Sequence, residues 1–169
     1  MKQLAFFIVF IIILSCTDVP SNYQIIDFSA SNGTNIIRSL ILRSDGLLTY
    51  RLAKSNQVNP ISYQLMADID DLQMINSFMG KTLSLPDTDC ANYNVSDAAS
   101  VSIIIYKNNK QHTYFIYGGE GCPSILDSLA NSLINMALDS ESKPKTAVKK
   151  TVIYESYKRL ELPPPPTFK

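Results

Sequence analysis

The chain has 169 residues and no net charge, with 15 Lys or Arg balanced by 15 Asp or Glu. This balance hides an asymmetry, because residues 16–142 carry seven basic and thirteen acidic side chains, whereas residues 143–169 carry seven and two. The acidic body argues against nucleic-acid binding. The chain has three Cys and one His. Cys16 directly follows the N-terminal leader described next, and the other two Cys with the His fall short of the four ligands of a zinc site.

The first 15 residues have the pattern of an export leader. Lys2 precedes an uninterrupted apolar run, residues 4–14, and Ser15 and Cys16 follow. A membrane-spanning helix needs about 20 apolar residues, so the shorter run predicts a signal peptide with a small-residue cleavage site. The segment Ile13-Leu14-Ser15-Cys16 resembles the bacterial lipoprotein box, in which the Cys receives a diacylglyceryl group. An ordinary secretory signal and an uncleaved anchor are the alternatives.

The lipoprotein resemblance implies a location. Residues 1–15 would be removed, and Cys16 would become a lipid-bearing first residue with acyl chains such as palmitate. Two or three chains, at about 0.8 kcal/mol per buried methylene, make a stable membrane anchor. We therefore expect a protein of the bacterial cell envelope that faces the periplasm or the cell surface. Residues 16–22 would be a tether, residues 23–142 a single domain and residues 143–169 a basic tail.

The first half of the body predicts strands, a hairpin and a helix. Residues 23–30 are a candidate strand, and Ser44-Asp45-Gly46 lies between two β-rich runs, which is a strong hairpin signal. Apolar residues then recur every three or four positions up to Gly80, which predicts an amphipathic helix. These residues are Leu65, Met66, Ile69, Leu72, Ile75, Phe78 and Met79.

The second half repeats this order. Residues 101–106 and 111–117 flank Asn108-Asn109, whose side chains tolerate the left-handed backbone of a tight turn. A second helical stripe follows, with Cys122 or Pro123 near its start. Its apolar members are Ile125, Leu126, Leu129, Leu133, Met136 and Ala137.

The two hairpins also share local sequence features. Each has a Ser before an aliphatic run, Ser39 and Ser102, and each ends near a Thr-Tyr pair, Thr49-Tyr50 and Thr113-Tyr114. We predict an α+β fold: an antiparallel sheet with two helices on one face, arranged as a β-β-α pseudo-repeat, with an extra strand near the C-terminus. Chance similarity between amphipathic hairpins is the alternative to a repeat.

The remaining two cysteines, Cys90 and Cys122, predict a disulfide. In an oxidising compartment they would pair with each other, and the second hairpin would bring both to the same end of the sheet. A bridge closing a loop of this length would stabilise the fold by about 3 to 4 kcal/mol. Two buried free thiols are the alternative.

Residues 32–50 resemble the opening of a small secreted bacterial domain of unknown function. In that domain a Gly-Thr-Cys-Pro-x-Tyr segment precedes a strand, a Ser-Asp-Gly turn and a strand ending in Tyr; here the matching features are Gly33-Thr34, Ser44-Asp45-Gly46 and Tyr50. Asn35 and Ile36 stand where that domain has Cys and Pro. The resemblance implies a fold and an extracytoplasmic location, and no activity.

Candidate chemical groups are few. A lone strand His such as His112 is usually solvated or packed, and no Gly-x-Ser-x-Gly motif presents a nucleophile for a triad. The glycines before the second helix lack the Lys-Ser/Thr of a phosphate loop and include Glu120, which favours a plain connection, with a weak anion site as the alternative. No cofactor is indicated.

Two acidic runs invite a metal interpretation. Asp68, Asp70 and Asp71 fit the solvated start of a helix, and neither run has the ligand order of a calcium loop. Asp87 and Asp89, in a long loop near Cys90, are weak candidates for a calcium site.

The tail points to contacts with the body or with a partner. Residues 151–162 are too apolar for a solvated arm, so we expect them to fold back onto the acidic body, the alternative being an anionic partner such as lipid headgroups. The terminal "LPPPPTFK" forms an extended rod, either a docking ligand or a simple terminus.

Two functions remain. We favour a non-catalytic envelope module with a protein or glycan partner. The alternative is an envelope hydrolase with a site near His112 or near Asp87 and Asp89.

Overall fold

The computed structural model describes residues 21–32, 36–54, 60–91, 98–118 and 121–160. The predicted leader with Cys16, the turn around Gly33, Glu120 and the terminal prolines lie outside these ranges. The described elements follow in chain order: β1 (Ile25–Ser31), β2 (Ile36–Arg43), β3 (Leu47–Lys54), β4 (Ser62–Met66), α1 (Ile69–Thr82), β5 (Thr88–Ala91), β6 (Ser100–Lys107), β7 (Lys110–Tyr117), α2 (Ser124–Ser142), β8 (Thr146–Ala147) and α3 (Glu155–Leu160).

The strands form a single sheet in the order β5-β7-β6-β1-β2-β3-β4-β8. Neighbouring strands are antiparallel except β5, which pairs parallel with β7. α1 and α2 pack against each other and share a hydrophobic core with the sheet. The structure therefore confirms the predicted α+β class with a mostly antiparallel sheet.

Both predicted hairpins are present, and their turns explain their sequences. Gly46 has φ of +83°, a conformation that glycine adopts without strain. A Cβ at this position would also lie 3.2 Å from side-chain atoms of Leu72 and Met66. Asn108 and Asn109 both adopt positive φ, 50° and 61°, as a two-residue primed turn requires.

The features shared by the hairpins occupy matching positions on the two sides of β1. Ser29 of β1 lies opposite Ser39 of β2 and opposite Ser102 of β6. One residue further on, Leu40 pairs with Tyr50, and Ile103 pairs with Tyr114. The similar residues of the two hairpins thus occupy equivalent pairing positions on either side of β1.

The helix-facing side of the sheet is the apolar core. Because side chains alternate along a strand, Ile26 and Phe28 of β1 point to this side, and both are fully buried. They pack with residues of the neighbouring strands and of both long helices. The cluster consists of Tyr23, Ile26, Phe28, Leu40, Leu42, Leu48, Tyr50, Ile75, Met79, Val101, Ile103, Ile105, Tyr114, Ile116, Leu126, Leu129, Ala130, Leu133, Met136 and Ala137.

The first helix begins later than predicted. Leu65 and Met66 belong to β4, where they pair with Leu48 and Leu47, and α1 starts at Ile69 with Asp68 as its N-cap residue. The prediction was wrong here because pairing with β3 satisfies the backbone of residues 62–66, although their apolar spacing happens to continue the helical pattern. The helix also passes Gly80 and ends at Thr82.

The described part of the basic tail folds back onto the body, as expected. β8 pairs with β4 and provides the extra C-terminal strand. The chain then crosses the sheet, and α3 packs on β1 and β6. Since the core helices occupy the opposite side, the C-terminal segment covers the second face of the sheet.

Candidate functional site

The second face of the sheet is polar, and we call it the polar face. It is formed by the side chains that alternate with the core residues, among them Asp27, Ser29, Ser39, Arg51 and Ser102. The aspartate and the three serines are buried. A buried polar surface of this kind is stable only where its groups find hydrogen-bond partners. The polar face is therefore the first place to look for a site.

A row of serines crosses the centre of the polar face. Ser29 Oγ lies 2.7 Å from Ser39 Oγ on the next strand and 2.8 Å from Ser156 Oγ of α3. Ser102 continues the row on β6, and its buried hydroxyl has no hydrogen-bond partner within the described ranges. Within this row, the Ser29–Ser156 bond joins the sheet to the C-terminal segment.

Asp27 binds the start of α3. Its Oδ2 accepts hydrogen bonds from the amides of Glu155 (2.7 Å) and Ser156 (3.3 Å), and its Oδ1 accepts one from the Ser156 hydroxyl (2.5 Å). Burial raises the pKa of Asp27 above the ordinary aspartate value, although these hydrogen bonds act in the opposite direction. The carboxyl group thus serves as a polar contact point for the first turn of α3.

Arg51 lies between two aromatic rings of the C-terminal segment. Its guanidinium carbon is 4.5 Å from the ring centroid of Tyr154 and 4.3 Å from that of Tyr157, which is close enough for cation–π attraction. Burial raises the pKa of Tyr154 to about 12, and its hydroxyl donates to Ser62 Oγ at 3.1 Å. The two rings therefore hold the guanidinium against the C-terminal segment.

At its far end, α3 contacts the edge of the sheet. Arg159 donates from Nη2 to both carboxylate oxygens of Asp89, at 2.9 and 3.1 Å, and its guanidinium lies over the Phe115 ring. This ion pair is partly exposed, so it contributes little to stability. It nevertheless fixes where the segment ends.

Two clefts flank the C-terminal segment. One, of about 590 Å³, is lined by residues of β6, β7 and α3, including Tyr106, Gln111 and Glu155. The other, of about 270 Å³, lies between Arg51 and the loop that leads from β8 to α3. Both have polar and charged groups at their walls, which is the composition of a recognition surface for polar ligands.

The structure brings together several of the residues singled out from the sequence. His112 Nδ1 lies 4.0 Å from Asp87 Oδ1, which is too long for a hydrogen bond. The same Asp87 oxygen accepts the Thr113 amide at 3.2 Å, and Asp89 is paired with Arg159. The two loop carboxylates therefore already have protein partners.

The other acidic run behaves as the sequence indicates. Asp68 precedes α1, Asp70 and Asp71 lie in its first turn, and Asp68 pairs with Lys143 at 2.6 Å. Within the described ranges, no group of three or more His, Cys, Asp or Glu side chains is arranged to hold a metal ion.

The two body cysteines are paired, in agreement with the prediction. Cys90 of β5 and Cys122, two residues before α2, form a disulfide with Cα atoms 5.5 Å apart. The bridge links the parallel edge strand to the start of a core helix. Cys90 and Asp89 point to opposite sides of β5. The strand is therefore linked to the core helix α2 on one side and to α3 on the other.

Sequence reasoning missed the residues that make up the polar face. Asp27 and Ser29 alternate with Ile26 and Phe28, and this alternation is a signal that one face of β1 is polar. The apolar tail predicts that residues 151–162 fold back onto the body, but no sequence signal indicates which face they cover, because Ser156 lies 127 residues from its partner Ser29. The contact exists only in the tertiary structure.

The chain matches no model of a known protein family, and a search of curated proteins likewise returns no match. Among the described residues, no helix has both the length and the apolar character needed to cross a membrane.

Proposed function

We propose that the protein is a lipid-anchored lipoprotein of the bacterial envelope that acts as a non-catalytic binding module. The observation that carries the proposal is the N-terminal pattern, an apolar run that ends in Ser15-Cys16. The Cys90–Cys122 disulfide supports it, because such bridges persist in extracytoplasmic compartments. The similarity of residues 32–50 to a small secreted domain points to the same location.

The polar face supports a binding role. The larger cleft presents hydroxyl, amide and charged groups beside the Tyr106 ring, and the smaller cleft presents hydroxyl and cationic groups. Tyrosine combines a large apolar surface with a hydrogen-bonding hydroxyl, which suits contacts to protein or glycan partners. The clefts are supported by strands, so a ligand would meet a largely preformed surface.

The intact mass of the protein purified from its own membranes tests the anchor. We expect the loss of residues 1–15, the addition of two or three acyl chains on Cys16, and a gain of two hydrogens on reduction of the disulfide. The Cys16→Ser variant is the matched control and should lack the acyl mass while keeping the reduction shift. A wild-type protein without acyl chains would overturn the lipoprotein assignment.

The alternative function is an envelope hydrolase, and the observation that favours it is the short distance between His112 and Asp87. A His beside a carboxylate is the usual arrangement of a general base. An enzymatic phenotype would be abolished by His112→Ala or Asp87→Ala, whereas a binding phenotype would survive both substitutions. Removal of residues 163–169 should have the opposite effect, provided that the terminal prolines contact the partner.

A further inference from the structure

The smaller of the two clefts has an unusual charge. We call it the basic cleft; its walls include Arg51, Ile61, Ser62, Lys149, Lys150 and Thr151, and its volume is about 270 Å³. Three of these side chains are cationic. Among the described residues, no acidic side chain lines this cleft.

The cations of the basic cleft have no carboxylate partner in the described part of the chain. No Asp or Glu oxygen of these ranges lies within 4.0 Å of Arg51, Lys149 or Lys150. Five other basic side chains in these ranges are paired: Arg38 with Glu141, Arg43 with Asp45, Lys143 with Asp68, Lys158 with Glu155, and Arg159 with Asp89. The described basic side chains without such a pair outside the cleft are Lys81, Lys107, Lys110 and Lys145, and these do not line the cleft. Three uncompensated charges around one concavity attract an anion.

Arg51 is held ready for such an anion. The rings of Tyr154 and Tyr157 enclose its guanidinium, and its buried Nε has no hydrogen-bond acceptor in the described part of the chain. A side chain already fixed in one orientation loses little conformational entropy when a ligand binds. Guanidinium donors match the oxygens of a phosphate in a two-point arrangement.

We propose that the basic cleft binds the phosphate group of a phosphomonoester. The dianion would be held by the Arg51 guanidinium, by the exposed ammonium groups of Lys149 and Lys150, and by the Thr151 hydroxyl. The volume accommodates a phosphate with a small organic group such as glycerol. Ile61, 54% exposed at the rim, offers an apolar contact to the remainder of the ligand.

Two sources share this chemistry, a lipid headgroup and a soluble phosphomonoester. The lipid source deepens the proposed envelope function and rests on it, because only a membrane-anchored protein stays beside headgroups. The soluble source does not require the anchor. Phosphate binding is therefore measurable whatever the mass of Cys16 turns out to be, and the two proposals fail independently.

Phosphorus NMR of the full chain in phosphate-free detergent tests the proposal. One probe is glycerol 1-phosphate in solution, and the other is phosphatidic acid in phosphatidylcholine micelles. We expect saturable binding of at least one probe, weakened about tenfold or more in Lys149→Ala/Lys150→Ala, since two charge-assisted contacts are lost. Arg51→Lys, which keeps the charge and loses the planar donors, should also weaken binding.

The matched control is Lys107→Ala/Lys110→Ala. These lysines pair with each other across the β6–β7 turn, so the control removes the same charge at a different place. Lys149 and Lys150 are exposed, and both double variants should keep the wild-type melting temperature. Equal weakening by the two double variants, or no binding of either probe to the wild type, would overturn the proposal.

Discussion

The two faces of the sheet are covered in different ways. The helix face is closed by two long helices over a continuous apolar core, whereas the polar face is covered by a short helix and the chain that leads to it. Apolar burial is non-directional and grows with area. The bonds of Asp27, Ser29 and Arg51 are directional, and each contributes little. Most of the folding stability therefore comes from the helix face, and the polar face determines where the C-terminal segment lies.

This difference predicts where the molecule opens first. Local opening has a lower free energy where few apolar contacts hold a segment. α3 has six residues, and Ser156 is its fully buried side chain. We expect amide hydrogens of this segment to exchange before those of β1 or α2. Such a segment can move without loss of the core.

The largest expected effect comes from a core residue. Phe28 is fully buried on the helix face, so Phe28→Ala should lower the free energy of unfolding by about 3 to 5 kcal/mol. Ser29→Ala, one residue further along and on the opposite face, is the control and should cost about 1 kcal/mol. Urea unfolding of both variants gives the comparison. Equal losses would contradict the assignment of stability to the helix face.

Removing the disulfide should have the next largest effect. Cys90→Ser/Cys122→Ser should lower the free energy of unfolding by about 3 to 4 kcal/mol, because the bridge spans 32 residues and restricts the unfolded chain. Thermal unfolding of the wild type with and without reductant provides a second measurement. A reductant that lowers the stability of the double variant equally would show that the effect does not come from this bridge.

Much of the fold follows from local sequence signals. Turn residues predict both hairpins correctly. Apolar periodicity predicts α2 and most of α1. β4 and β5 could not be found in this way, because β4 continues a helix-like spacing and β5 is a four-residue edge strand. Their pairing partners, β3 and β7, decide their conformation. Local patterns carry no information about such partners.

The candidate site was less accessible to sequence reasoning. The disulfide was predicted because the N-terminal pattern predicts an oxidising compartment, where the two remaining cysteines can pair only with each other. The sequence around Asp27 and Arg51 did not predict partners for these residues, since an isolated charged side chain in a strand is usually solvated. Their roles depend on a segment more than 100 residues away. The sequence indicated only that the tail is too apolar to remain in solvent.

A smaller effect is expected at Asp27, and it depends on pH. Asp27→Asn replaces one acceptor oxygen by an amide that faces donors of Ser156, so about 1 kcal/mol should be lost at neutral pH. Because burial raises the pKa of the wild-type carboxyl, the native state holds its proton more tightly than the unfolded state. Wild-type stability from this group is thus complete below the unfolded value of about 3.9 and declines as the pH rises through the folded value.

The difference between the wild type and Asp27→Asn should therefore widen as the pH is lowered from 7 towards 4. The carboxylate of Glu155 also raises the pKa of Asp27, so the comparison is repeated in a Glu155→Gln background as the control. Unfolding in urea across this pH range provides the measurement. A difference that narrows on acidification would mean that hydrogen bonds to the ionised carboxylate outweigh its burial.

The smallest expected effect concerns the end of the C-terminal segment. Asp89→Asn removes the carboxylate that pairs with Arg159, and since both partners are partly exposed the loss should be at most about 1 kcal/mol and smaller in high salt. Trypsin cleavage after Arg159 should nevertheless become faster, because the pair holds this end of α3 against β5.

Addition of calcium distinguishes this structural role of Asp89 from a role as a metal ligand. If Asp89 were a calcium ligand, calcium would raise the wild-type melting temperature and leave Asp89→Asn unchanged, whereas an ion pair with Arg159 predicts no response to calcium in either protein.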